Sequence, residues 1–125
     1  MKTKSILIAE DDREIAHFIV ATFERLGFKV IKSHDGRKTI SAARKHLPDV
    51  ILLDILMPKI NGVEVIHNLR ESDSPCRKTP IIVLSALDRL YQKREALEAG
   101  ADVYLCKPMF TEDIVSEVLK WVDDR

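Results

Sequence analysis

Acidic residues stand where they could hold a cation. Glu10 and Asp11 follow the apolar run 6–9 directly, and Asp54 follows the apolar run 50–53. Carboxylates that a fold brings together repel each other, so such a group needs a counter-charge. Mg²⁺ meets this need because it binds a few carboxylate oxygens and keeps other positions open for water and phosphoryl oxygens. The sequence therefore predicts a magnesium site that includes Glu10, Asp11 and Asp54.

A hydroxyl and an ammonium group complete the pattern. Ser85 follows the apolar run 81–84, and Lys107 comes shortly after the run 103–105. Three carboxylates (−3) and one lysine (+1) sum to −2, a charge that one divalent cation cancels. An incoming phosphoryl group would then meet a neutral site. This arrangement favours phosphoryl transfer, with Asp54 as nucleophile, Lys107 offsetting charge on the equatorial oxygens and Ser85 donating a hydrogen bond to one of them.

The elements that must position these residues alternate along the chain. Short β-branched runs without alternation are typical of strands buried on both faces of a parallel sheet, and segments of helical spacing lie between them. Five such units predict a doubly wound α/β fold with right-handed crossovers. In this fold, ligands bind beyond the carboxyl ends of the strands. The predicted strands cover residues 6–9, 29–33, 50–53, 81–84 and 103–105.

Composition narrows the possible functions. The 125 residues predict a single domain over 1–125 with no output segment after residues 121–125. Lysine plus arginine and aspartate plus glutamate number 20 each, so no overall field draws the chain to nucleic acid or to an anionic membrane. The run 6–9 is too short to span a membrane, which predicts a cytoplasmic protein. Cys76 and Cys106 lack metal-site spacing and are expected to be free thiols.

Other interpretations of the acidic residues are weaker. Single aspartates often cap helices or lie in turns, and we expect one of these two roles for Asp12 and Asp35. A phosphohydrolase with an aspartate nucleophile would carry a second acid two residues after Asp54, where this chain has Leu56. A nucleotide-binding or flavin-binding module would need a glycine-rich loop after the first strand, where acidic residues stand instead. A binding module that works without phosphorylation remains as an alternative.

The motifs together resemble the receiver domain of two-component response regulators. The resemblance covers nearly the whole chain and has five motifs in order. It implies a flavodoxin-like fold, a five-stranded parallel sheet of order 2-1-3-4-5 flanked by five helices. The motifs are Glu10-Asp11, the segment 54–62 (DILMPKING), Ser85-Ala86, the segment 100–104 (GADVY) and Lys107-Pro108.

The resemblance also implies residue roles. Asp54 is the phosphoacceptor, and Mg²⁺, for which Mn²⁺ can substitute, is held by Glu10, Asp11, Asp54 and the backbone carbonyl of Leu56. Lys107 contacts the phosphoryl group, and its bond to Pro108 is expected to be cis. Ser85 and Tyr104 form a switch pair. Such a protein is a signalling switch rather than an enzyme.

The implied partners are proteins. A sensor histidine kinase or a phosphotransfer protein supplies the phosphoryl group, and kinase specificity is expected on the first helix, around Ile15, His17, Phe18 and Thr22. A downstream effector or output domain binds the face of the fourth helix, fifth strand and fifth helix, and a homodimer is compatible with the family. That face includes Arg89, Tyr91, Arg94, Asp102 and Tyr104.

Three further expectations concern single residues. In the family that the motifs resemble, the side chains two residues past the phosphoacceptor and two past the switch hydroxyl often help or hinder the water that attacks phosphorus. Those positions hold Leu56 and Leu87, which can crowd out this water, so we predict slow self-dephosphorylation. The four histidines, His17, His34, His46 and His67, are expected to be solvated surface residues. Trp121 is expected to finish the core rather than to anchor an interface.

Overall fold

The fold alternates five strands with five helices. A computed structural model describes residues 3–55, 61–86, 90–107 and 109–122. All strand pairs are parallel, and the sheet order is β2-β1-β3-β4-β5, which confirms the predicted doubly wound fold. The elements are β1 (Ser5–Ala9), α1 (Arg13–Arg25), β2 (Lys29–Ser33), α2 (Gly36–His46), β3 (Val50–Leu53), α3 (Gly62–Leu69), β4 (Ile81–Ser85), α4 (Leu90–Ala99), β5 (Val103–Cys106) and α5 (Thr111–Val122).

The sheet is buried on both faces because successive strand residues point to opposite sides. On β1, Leu7 and Ala9 join a core with α2, α3 and α4, whereas Ile6 and Ile8 join a core with α1 and α5. The two cores explain why the strand sequences are apolar without alternation. Trp121 packs against the second core, as predicted.

Side chains at the helix ends fix where the helices begin. Asp12 caps α1 by accepting hydrogen bonds from the backbone N–H groups of Glu14 and Ile15, and Asp35 caps α2. Of the two predicted roles, cap or turn residue, both aspartates thus have the first. Asn61 caps α3 in the same way. Each cap satisfies backbone donors that the first turn leaves without partners.

Several apolar residues of the helical pattern are not buried. Phe18 is 60% exposed and Leu26 51% exposed, although both continue the apolar spacing of α1. Leu47 lies outside α2 in a left-handed conformation. The spacing predicts which side of a helix is apolar, but the coverage of that side depends on the neighbouring element. Within the described parts of the chain, no helix has the length and apolarity to cross a membrane.

Candidate functional site

Backbone hydrogen bonds continue past the strand ends and bring the predicted residues to one edge. The N–H of Asp54 donates to the carbonyl of Ala9 at 2.9 Å, so Asp54 lies beside the end of β1. The N–H of Lys107 donates to the carbonyl of Ser85 at 2.7 Å, so these two residues are also neighbours. The carboxyl ends of the strands thus carry acid, hydroxyl and ammonium groups together, as the parallel topology predicts.

The ammonium of Lys107 lies between two buried carboxylates. Its Nζ is 2.7 Å from Oε1 of Glu10 and 3.5 Å from Oδ2 of Asp54. Glu10 is 3% exposed and Asp54 is 8% exposed. Water therefore screens these charges only weakly, and Lys107 supplies one positive charge beside the two carboxylates.

The two acids after β1 face different surroundings. Oε2 of Glu10 accepts a hydrogen bond from the backbone N–H of Asp12 at 3.2 Å, whereas Asp11 is exposed. Glu10 is therefore held in the site, and Asp11 borders it from the solvent side.

These donors suit a hard divalent cation. Glu10, Asp11 and Asp54 offer carboxylate oxygens, and with Lys107 their charge sums to −2. Among the described residues, no three side chains of metal-ligating type already surround one point. Mg²⁺ does not need such a cage, because it retains several waters and binds through few protein oxygens. The residues present thus fit this ion.

The predicted switch residues are both buried. Ser85 is fully buried at the end of β4, and Tyr104 is 8% exposed and belongs to the core of α2, α3 and α4. On the predicted effector face, Tyr91 is 71% exposed. Four residues with predicted roles lie outside the described parts of the chain, namely Leu56, Leu87, Arg89 and Pro108.

Gly62, at the start of α3, packs closely against Ile55, the residue after Asp54. The N–H of Gly62 donates to the carbonyl of Ile55 at 2.7 Å. A Cβ at position 62 would come within 2.5 Å of the Cα of Ile55, a distance at which the backbone must shift. This close approach therefore requires glycine at position 62. The residue that it contacts, Ile55, directly follows Asp54.

His34 is not the solvated surface residue that we predicted. Its ring is half-buried, and Nδ1 is 2.9 Å from the backbone carbonyl of Glu10. The only sequence signal was its position directly after β2, beside the acids that follow β1. This contact with Glu10 links His34 to the site.

Arg70 organises the opposite end of the sheet. Its guanidinium donates to the carbonyls of Gly100 and Cys76 and to Oδ2 of Asp102, at 2.9–3.0 Å. The same Asp102 oxygen accepts from the N–H of Ile81, so its side chain holds the start of β4. Burial lowers the pKa of Arg70 and raises that of the Cys76 thiol. These residues serve the fold rather than the site.

An apolar groove of about 760 Å³ opens beside Lys107. It lies between α1 and the segment before α5. Phe18 also lines a second groove between α1 and α5. The lining of the larger groove includes Arg13, His17, Phe18, Met109 and Ile114.

Comparison with known proteins decides the family. The family model described as the response regulator receiver domain matches residues 6–119. The chain belongs to the response regulator receiver family. Receiver domains of two-component systems are signalling switches that partner with histidine kinases and effector domains.

The curated relatives are longer response regulators. This receiver domain is 35% identical over 115 residues to the alkaline phosphatase synthesis transcriptional regulatory protein PhoP of Bacillus subtilis, covering 92% of this chain and 47% of that protein. It is 34% identical over 113 residues to the response regulator ArlR of Staphylococcus aureus, covering 90% of this chain and 50% of ArlR. The chain thus spans about half the length of these relatives.

Solved receiver domains share the fold. The receiver domain of the Francisella response regulator 1452 is 33% identical with a TM-score of 0.88, and the match covers 98% of each chain. The receiver domain of the sensor histidine kinase PA1611 of Pseudomonas aeruginosa is 27% identical, also with a TM-score of 0.88, covering 98% of this chain and 99% of that one. The PA1611 structure has a magnesium ion coordinated in the active site cleft.

Proposed function

We propose that Asp54 is the phosphoacceptor of this receiver domain. The observation that carries the proposal is the ammonium of Lys107 between the buried carboxylates of Glu10 and Asp54. A carboxylate at a strand end beside an ammonium can attack phosphorus, and the ammonium can then pair with the phosphoryl oxygens. Receiver family membership supports the same role.

The donor is a phosphohistidine of a sensor histidine kinase or of a phosphotransfer protein. A bond forms between an Asp54 carboxylate oxygen and phosphorus, and the bond between phosphorus and the donor nitrogen breaks. The electron pair of that bond returns to the donor imidazole. Lys107 then pairs with a phosphoryl oxygen, and the Ser85 hydroxyl donates to another.

Glu10, Asp11 and Asp54 hold the magnesium ion in this proposal, with the backbone carbonyl of Leu56 as a further ligand by family resemblance. Mn²⁺ takes the same place because it accepts the same oxygen ligands. The bound cation supplies charge stabilisation at the transferring phosphoryl group. The magnesium ion in the PA1611 receiver domain supports this assignment.

The phosphorylated state changes the surface of α4, β5 and α5. Ser85 moves toward the phosphoryl group, and Tyr104 packs into the space that it leaves. An effector protein or output domain reads this change. The neutral overall charge supports a protein partner over direct binding of nucleic acid. The proposed cytoplasmic location rests on the sequence, in which the apolar run 6–9 is too short to span a membrane.

The phosphodonor docks on the groove beside Lys107. Phe18 supplies an exposed aromatic ring there, and Arg13 supplies charge at the same groove. Phe18→Ala should lower the rate of phosphotransfer from the kinase without changing the rate with a small phosphoryl donor. Tyr91→Ala is the matched control, because this exposed aromatic residue lies on α4.

Intact-mass spectrometry tests the phosphoacceptor role. The protein is incubated with a small phosphoryl donor and Mg²⁺, beside Asp54→Asn and a chelator control. We expect a hydroxylamine-labile gain of one phosphoryl group that both controls abolish. No adduct under any condition would favour a binding module that works without phosphorylation. Release of free phosphate without an adduct would instead favour a phosphohydrolase.

The lifetime of the adduct tests the two leucines. Leu56 and Leu87 cannot hydrogen-bond an attacking water, so the phosphoryl group should persist well beyond a few minutes after the donor is removed. Leu56→Asn should shorten that lifetime, because the amide can bind a water beside phosphorus. Loss of the adduct from the unmodified protein within a few minutes would contradict the prediction.

A further inference from the structure

The hydrogen bond from His34 has a defined direction. Its Nδ1 is 2.9 Å from the backbone carbonyl oxygen of Glu10. A carbonyl oxygen can only accept, so Nδ1 must carry the hydrogen. The ring therefore acts as a donor to the backbone of an acid in the proposed magnesium site.

This side chain continues the pairing of β1 with β2. The N–H of Glu10 donates to the carbonyl of Ser33 at 3.2 Å, as in a parallel ladder. A continuing ladder would bring the N–H of Asp35 to the carbonyl of Glu10. No backbone donor is found on that carbonyl within the described ranges, and the His34 ring occupies this place instead. Glu10 is therefore held on both sides of its backbone.

The support of His34 is itself rigid. The Ser33 and Thr39 hydroxyls lie 2.7 Å apart, and Thr39 donates to the carbonyl of Asp35, also at 2.7 Å. Oδ1 of Asp35 accepts from the N–H of Lys38 at 2.8 Å. His34 thus stands between two anchored residues. A ring on such a support can fix the position of what it binds.

We propose that His34 is a positioning residue for the magnesium site. By holding the carbonyl of Glu10, it fixes the turn in which Glu10 faces the site and Asp11 borders it. The role deepens the proposed function and rests on the magnesium site named there. Groups behind metal ligands commonly set their orientation, and their loss weakens metal binding.

Two substitutions of similar shape test the hydrogen bond. The side-chain amide of Asn can donate at the place of Nδ1, whereas Leu cannot. His34→Leu should weaken Mg²⁺ binding roughly fivefold, the effect of one neutral hydrogen bond. His34→Asn should bind Mg²⁺ with a dissociation constant within about twofold of that of the unmodified protein, a smaller change than the loss of one hydrogen bond would cause. His46→Leu is the control, because His46 is exposed at the end of α2.

Calorimetric titration with Mg²⁺ gives the dissociation constants, and urea unfolding without metal gives the stabilities. Equal Mg²⁺ affinity in the Leu variant and the unmodified protein overturns the proposal, whatever their stabilities. Equal weakening in the Leu and Asn variants also overturns it, because the ring rather than the donor would then matter. If the unmodified protein binds no Mg²⁺, the magnesium site and this role fail together. Normal phosphorylation of Asp54 would show that the phosphoacceptor proposal survives.

A second measurement uses the unmodified protein and so does not depend on whether the variants fold. Long-range ¹⁵N NMR of the unmodified protein reports which ring nitrogen carries hydrogen. Hydrogen on Nδ1 of the neutral His34 ring is expected. A neutral ring with hydrogen on Nε2 alone would contradict the contact and overturn the proposal.

Discussion

Replacement of Lys107 by alanine should destabilise the metal-free protein. The side chains of Lys107, Glu10 and Asp54 are 17%, 4% and 10% exposed, so the variant removes a positive charge that lies beside two buried carboxylates. At an effective dielectric constant of about 20, pairs at 2.7 Å and 3.5 Å gain roughly 6 and 5 kcal/mol before desolvation. Desolvation offsets much of this gain. Removal of one partner from a buried pair costs about 3–5 kcal/mol, and we expect about 3 kcal/mol here.

Magnesium should restore much of the loss. The bound cation supplies the counter-charge that the variant lacks, so Mg²⁺ should stabilise Lys107→Ala more than the unmodified protein. Urea unfolding in chelator and in saturating Mg²⁺ measures both quantities. Lys120→Ala is the matched control, because Lys120 forms a 3.5 Å pair with Glu117 and its side chain is 67% exposed. Such a pair contributes less than about 1 kcal/mol.

Two results would refute this reasoning. A loss below about 1 kcal/mol in chelator would mean that the contacts of Lys107 are worth no more than a surface pair. An equal effect of Mg²⁺ on the variant and on the unmodified protein would mean that the ammonium and the metal do not neutralise the same carboxylates.

Further predictions concern packing and titration. Gly62→Ala should cost about 1–3 kcal/mol in urea unfolding, because its Cβ would press on the backbone of Ile55. Burial raises the pKa of the Cys76 thiol, so the unfolded chain ionises first as pH rises past the ordinary value of 9.0. The free energy of unfolding should therefore fall above that pH. Cys76→Ala should make this decline smaller, whereas Cys106→Ala should not change it. Ellman's reagent should modify the partly exposed Cys106 before the buried Cys76. Arg70→Met should lower the unfolding free energy by about 3 kcal/mol in urea, since it removes the donor of three hydrogen bonds, two of them to part-buried carbonyls.

The strands and the edge that carries the site could be predicted from the sequence. The inner strands β1, β3 and β4 are short, rich in β-branched residues and buried on both faces, so their limits show as changes in hydropathy. The outer strands β2 and β5 are only partly buried. The predicted run 50–53 coincides with β3, and the run 81–84 falls one residue short of β4. Parallel pairing then brings the residues after the strands together.

Single contacts could not be predicted in the same way. Spacing places Lys107 at the edge, but only the structure shows its ammonium closer to Glu10 than to Asp54. The His34 bond joins a side chain to a backbone carbonyl 24 residues away and leaves no periodic trace. Phe18 follows the apolar spacing of α1 but is exposed, because burial depends on what covers it.

The position of Lys107 links the proposed metal site to the proposed switch. Its ammonium holds Glu10, while its backbone N–H donates to the carbonyl of Ser85. A cation that neutralises Glu10 weakens the hold on the ammonium, which can then pair with a phosphoryl group on Asp54. The backbone N–H of Lys107 donates to the carbonyl of Ser85 at 2.7 Å, so a shift of the Lys107 backbone would reach the end of β4. Metal binding should therefore affect the end of β4, where the proposed switch residue Ser85 lies. In Lys107→Ala, metal binding should no longer affect the switch, even where Mg²⁺ restores the stability of the variant.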